Sequence, residues 1–137
     1  MRTHLEFAST AFPAALGEDQ EINPGRFGKA LAEFLRDALP LHGFKVRRIV
    51  AEDWGWMVDL DHNLFPLWIG CGNYEEFEHG FLCFIEPSKR TVWKGFSKID
   101  PGPTVERLGI ALESILRKSG KVSKLRWWTE DDVSKKV

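Results

Sequence analysis

Cysteine is scarce in this chain of 137 residues, which carries only Cys71 and Cys83. Two thiols make neither a disulfide framework nor the paired Cys-x-x-Cys of a zinc site. Long hydrophobic runs are missing too, and none nears the ~18 residues of a membrane span. Glu6, Ser9, Thr10 and Pro13 interrupt the apolar residues after Arg2, so the start does not read as a secretory core. Nor is one sign of charge in excess. The 19 basic and 20 acidic side chains nearly cancel, leaving no global field to draw the chain to nucleic acid or an anionic surface. The sequence also lacks a Gly-rich phosphate loop, a nucleophile elbow, a His-Glu-x-x-His pair and a calcium loop. These absences predict a reduced, cytoplasmic protein with no membrane partner and no cofactor. Nucleic acid is not the expected partner, no catalytic or metal-ligating residue is assigned, and the balance tilts away from an enzyme.

What is present is an ordinary globular composition, 43% hydrophobic and 28% charged. The length predicts one domain over residues 1–137, with mobile segments at 17–23 and in the tail at about 132–137. Two amphipathic helices stand out. One is expected after the capping pair Asn23-Pro24, with Phe27, Ala30, Leu31, Phe34, Leu35 and Ala38 as its apolar stripe. The other follows Asp100-Pro101-Gly102-Pro103 and carries Val105, Leu108, Ala111, Leu112, Ile115 and Leu116. Strands are expected at about 5–12, 44–60 (with a bend near Glu52-Asp53), 65–71, 81–86, 91–99 and 122–129. The order β-α-β-β-β-β-α-β and the short middle connections predict an α+β, two-layer domain. It would hold an antiparallel meander of five to six strands with two helices on one face.

Such a sheet, solvated on its far side, should alternate apolar and polar residues. These strands alternate poorly. Phe65, Leu67, Ile69 and Cys71 are opposed by Trp68, and Phe81, Cys83 and Ile85 by Leu82 and Phe84. Leu125 and Trp127 are opposed by Trp128, and the chain has six tryptophans in all. Two helices cover one face only. The second face is therefore closed by loops or curvature, or meets a protein partner or a second copy of the chain, or lines a ligand cleft.

Several constellations bear on that choice. In Glu52-Asp53-Trp54-Gly55-Trp56, strand alternation puts Trp54 and Trp56 on one face and Asp53 on the other with Met57 and Asp59. A hairpin centred on Phe77 sets Cys71 against Cys83 and Ile69 against Ile85; two buried thiols are the simple reading, a Cys71 nucleophile served by His62 or His79 the sharper one. Asp59, Asp61 and His62 read as solvated turn residues more readily than as a metal site. Acidic clusters occur at Glu18, Asp19 and Glu21, at Glu75, Glu76 and Glu78, and at Glu130-Asp131-Asp132. Arg117, Lys118, Lys121, Lys124 and Arg126 gather beside Trp127-Trp128, a pattern that can bind single strands but is commoner as a solvated surface.

Glu52-Asp53-Trp54-Gly55-Trp56, Trp68 to Asn73, Phe81 to Pro87 and Arg126 to Asp131, taken with Asn23-Pro24-Gly25-Arg26, resemble segments of a set of small bacterial proteins. That resemblance implies no activity and transfers no residue role. In size, charge pattern and layout the chain is also similar to immunity proteins of bacterial toxin systems. The expectation is a non-enzymatic protein-binding module of that kind, an inhibitor engaging a toxin through Asp53, Trp54, Trp68, Glu75, Glu76 and Glu78. The alternative is a small-molecule binder or enzyme with a pocket near Gly70-Cys71-Gly72-Asn73, using Trp56, Asp59, His62, Cys71 and Asn73.

Overall fold

A computed structural model describes residues 1–129, 131 and 132. Most of the expected tail at 132–137 therefore lies outside the described residues. The fold is α+β. Strand β1 (Arg2–Ala8) is followed by a short helix α1 (Glu18–Glu21) and by α2 (Lys29–Ala38). Then come β2 (Val46–Glu52), β3 (Gly55–Leu60), β4 (Leu67–Asn73) and β5 (Gly80–Glu86). A hairpin of β6 (Val92–Lys94) and β7 (Ser97–Ile99), helix α3 (Gly102–Ser119) and β8 (Ser123–Thr129) complete it. Six strands form one antiparallel sheet in the order β2-β3-β4-β5-β1-β8. The meander thus spans β2 to β5, and the two chain-terminal strands extend it.

Four expectations need correction. Residues 44–60 are two strands, because Asp53-Trp54 turns the chain and pairs Glu52 with Gly55. Residues 91–99 form the separate β6–β7 hairpin and not a strand of the main sheet. Asn23-Pro24 does not start the long helix, which begins at Lys29. Proline followed by Gly25 at φ 76° makes a tight turn, closed by Arg26 N–H donating to Asn23 O at 3.0 Å. The fourth concerns residues 17–23, where α1 replaces the expected mobile loop and buries Glu18 completely.

That glutamate ties the pieces together. Its Oε2 accepts from the backbone N–H groups of Gly28 (2.7 Å) and Lys29 (2.8 Å) and from Trp56 Nε1–H (2.8 Å). Its Oε1 accepts from Ala15 N–H at 2.9 Å. A carboxylate at the first turn of α2 satisfies orphan helix donors and suits the helix dipole. The same bonds clamp the 15–29 segment to the start of β3.

Both long helices lie on one face of the sheet. Leu31 and Leu35 of α2, with Val105, Leu108 and Leu112 of α3, meet Leu5, Phe7, Val58, Ile69, Cys83 and Ile85, all fully buried. Each such side chain contributes roughly 1.5–3 kcal/mol on leaving water. Among the described residues no helix is long and apolar enough to cross a membrane.

Candidate functional site: the helix-free face of the sheet

The side chains that alternate away from the helices make a second apolar surface. On β4 these positions are Trp68, Gly70 and Gly72, and on β5 they are Leu82, Phe84 and Glu86. Gly70 sits directly opposite Phe84, whose ring occupies the space a Gly70 side chain would need. With that ring laid flat over the backbone, Trp54 folds back from the β2–β3 turn to cover it. Trp54 stacks on Trp68 with centroids 6.0 Å apart and planes 20° apart, and tilts against Phe84 at 4.9 Å. Trp68 meets Phe84 edge-on at 5.6 Å, and His4 of β1 stacks on the ring's other flank at 5.7 Å. All four rings are only half-buried. Met57, Val50 and Leu82 flank them, also half-buried.

Several charged groups on this face are held in pairs. Glu6, 8% exposed, accepts from Trp128 Nε1–H at 2.9 Å and pairs with Arg126 at 3.8 Å. The Arg126 guanidinium lies 3.9 Å from the centroid of Trp128, a cation–π contact. At the β2 side, Asp59 is 9% exposed and lies 3.6 Å from Arg48 and 3.8 Å from Arg47.

One end of the face carries an acidic rim. The pairs Trp56 with Cys71, Phe7 with Phe81 and Ala8 with Gly80 put the β2–β3 turn and the β4–β5 loop at the same end of the sheet. Glu52 and Asp53 belong to the first, Glu75, Glu76 and Glu78 to the second. Glu76 and Phe77 line a shallow depression of about 480 Å³ with Glu6, Lys124, Arg126 and Trp128, so the loop borders the face itself. Glu75 lies beside Gly25, and Glu78 is 3.4 Å from His79. Of the six residues expected to meet a partner, Trp54 and Trp68 therefore share one stack. Asp53 precedes Trp54 in its turn, and the three glutamates stand on the neighbouring loop.

The structure separates the residues of the expected small-molecule pocket. Trp56 and Cys71 lie under the sheet, in the core beside α2. Asp59 is on the opposite face with the arginines. Asn73 is spent on the 23–28 segment, donating to Gly25 O at 3.0 Å and accepting from Phe27 N–H at 3.0 Å. His62 packs on Phe65 at 4.4 Å in the β3–β4 connection. Trp54 and Trp56 also fall on opposite faces, because the turn at Asp53-Trp54 resets the alternation expected across Glu52 to Asp59.

Cys71 and Cys83 are directly opposed, as are Ile69 and Ile85, and both thiols are free and fully buried. Burial above all, then the hydrogen bond and charge of Cys83, holds the Cys71 thiol well above its ordinary range. It is protonated at neutral pH, the wrong state for a nucleophile. The basic cluster is divided as well. Arg117 pairs with Glu113 at 3.1 Å, Lys121 covers Phe34 at 5.4 Å, and Arg126 is committed to Glu6 and Trp128. Trp127 turns toward the core, donating to Glu113 at 2.6 Å, while Trp128 lies across the sheet from it, paired with His4. Asp61 is 3.7 Å from Lys45 and 3.4 Å from Arg47.

Sequence reasoning placed Phe84 on the second face without naming it as a site residue, and missed His4 and Glu6 as members of the site and Glu18 as a buried clamp. Gly70 amid large residues was the available sign that a ring crosses the backbone there. Nothing local signalled His4, whose place depends on β1 inserting between β5 and β8.

No protein-family model matches the chain, and neither a curated protein nor a solved structure matches it significantly.

Proposed function

We propose that the protein is a non-enzymatic binding module that engages another protein through the helix-free face of its sheet. The observation that carries this reading is the half-exposed cluster of Trp54, Trp68, Phe84 and His4, which neither α2 nor α3 covers among the described residues. Tryptophan and flanking apolar side chains are enriched at the centres of interfaces, where a few anchors carry most of the affinity. The carboxylates at one end of the face, Glu52, Asp53, Glu75, Glu76 and Glu78, suit a basic partner and speed its encounter. A toxin whose cleft binds a polyanionic substrate has that chemistry, so an immunity or inhibitor role is the form of the reading we favour. The rings would anchor the contact, and the acidic rim would occupy the basic cleft.

The test is affinity capture from the source cell with the tagged chain, run beside a Trp54→Ala/Trp68→Ala variant and a Glu75→Lys/Glu76→Lys/Glu78→Lys variant. One stoichiometric protein, lost with the first variant and weakened with the second, is expected. A protein retained equally by all three chains would remove this face from the account.

A further inference from the structure

At the end of the sheet away from the acidic rim, the chain leaves β5 and builds a finger of different character. Residues 87–99 contain Lys89, Arg90, Lys94 and Lys98 and no carboxylate. The bordering acids are turned back onto the chain: Glu86 accepts from Ser88 N–H at 3.2 Å, and Asp100 accepts from Gly102 N–H at 2.9 Å. Half-buried Val92 and Ile99 pair across the hairpin and pack on the core, rooting it. A two-residue turn, Gly95-Phe96, makes the tip. Phe96 there is wholly exposed, and Trp93, set back on the outer face opposite Lys98, is 65% exposed. Lys94 donates to Asn63 O at 2.7 Å and so brings the neighbouring connection alongside, where Leu64 is 47% exposed. Among the described residues Arg90 has one distant partner, Asp131 at 4.0 Å, and Lys89 and Lys98 have no ion pair.

We propose that this hairpin is a peripheral docking finger for an anionic lipid surface, with Phe96 at the tip entering the interface and Trp93 and the basic residues behind it meeting lipid headgroups. The radial order decides the class of partner. The apolar ring is outermost and the cations stand behind it, the depth profile of a bilayer interface, where acyl chains lie below charged headgroups. A nucleic acid presents phosphates outermost and would call for cations at the apex. Tryptophan set back from the tip matches the headgroup level. The near-neutral net charge does not oppose the contact, because residues 87–99 themselves carry four basic side chains and no carboxylate. A finger in lipid leaves the acidic rim facing solution and open to a partner. The surface is independent of the aromatic sheet face, and it departs from the expectation of no membrane partner. That expectation rested on the lack of a spanning segment and of net positive charge, and a reversible surface contact needs neither.

The test is flotation of the full chain with vesicles of pure phosphatidylcholine and with vesicles containing a third phosphatidylglycerol. Native protein is expected to float with the anionic vesicles and to stay behind with the neutral ones. Phe96→Ala should lower the anionic partition roughly tenfold, and each of Lys89→Gln and Lys98→Gln should lower it about fivefold. These positions are exposed, so far-UV dichroism should remain native. Three results would overturn the proposal: no binding to anionic vesicles, binding indifferent to Phe96→Ala, or Phe96- and Lys98-dependent binding of a single-stranded oligonucleotide without binding to vesicles.

Discussion

Glu18 shows how a single side chain can look like surface in the sequence and be core in the fold. It belongs to an acidic run, yet it is fully buried and accepts four hydrogen bonds. Glu18→Gln keeps the volume but replaces an acceptor by a donor facing N–H groups. It should lower stability by about 2–4 kcal/mol, read from urea unfolding monitored by tryptophan fluorescence. An unchanged midpoint would mean that the clamp contributes nothing. Glu113 makes a second prediction, this one in pH. Its carboxyl is held below the ordinary carboxylate range, first by the Trp127 indole N–H and then by Arg117. A depressed acid stabilises the fold above its unfolded pKa and loses that contribution as pH falls through the folded value. Glu113→Gln should therefore be less stable than native at pH 7, with the gap closing below about pH 4. A gap independent of pH would contradict the assignment. The thiols follow from burial: Cys71 and Cys83 should resist alkylation in native protein and react at once in urea, and fast native labelling would place one of them at the surface.

At the scale of elements, helices α2 and α3 and the pairing of Cys71 with Cys83 were legible because each rests on local periodicity or on symmetry about one loop. Apolar residues at helical spacing named both helices, and the hairpin arithmetic around Phe77 gave the β4–β5 register as observed. The split of residues 44–60 was half legible: a bend was expected at Glu52-Asp53, but β-branched and aromatic residues on both sides disguised a full turn. Strand order was not legible. β1, from the start of the sequence, inserts between β5 from its middle and β8 from near its end, and no local pattern encodes pairings that distant. As a result the site could be read only in part, since Trp68 and Phe84 face away from the helices by alternation while His4 arrives by topology. Gly70→Ala tests the central packing of that face. An added methyl must displace the Phe84 ring, at about 1–3 kcal/mol, and should also loosen the Trp54–Trp68 stack. Near-UV dichroism would report that loss, and a native spectrum would mean the ring does not lie over Gly70.

Across the whole molecule, three surfaces differ in kind. The helix side is closed and takes most of the apolar burial. The opposite sheet face is aromatic and bounded at one end by Glu52, Asp53, Glu75, Glu76 and Glu78. The far end carries the basic β6–β7 finger. Composition concealed this, because a sum over the chain hides the local excess of carboxylates on the rim and of basic side chains in residues 87–99. In the reading proposed above, the sheet face meets a partner while the finger meets a different surface.

The most direct measurement places a photo-crosslinking amino acid at Val50 or Leu82 on the helix-free face, and at Ile110, which is 56% exposed on α3, in protein expressed in its own cell. The account predicts one discrete heterologous adduct from Val50 and Leu82 and none from Ile110. Adducts from Ile110 alone, or none from the sheet face, would contradict it.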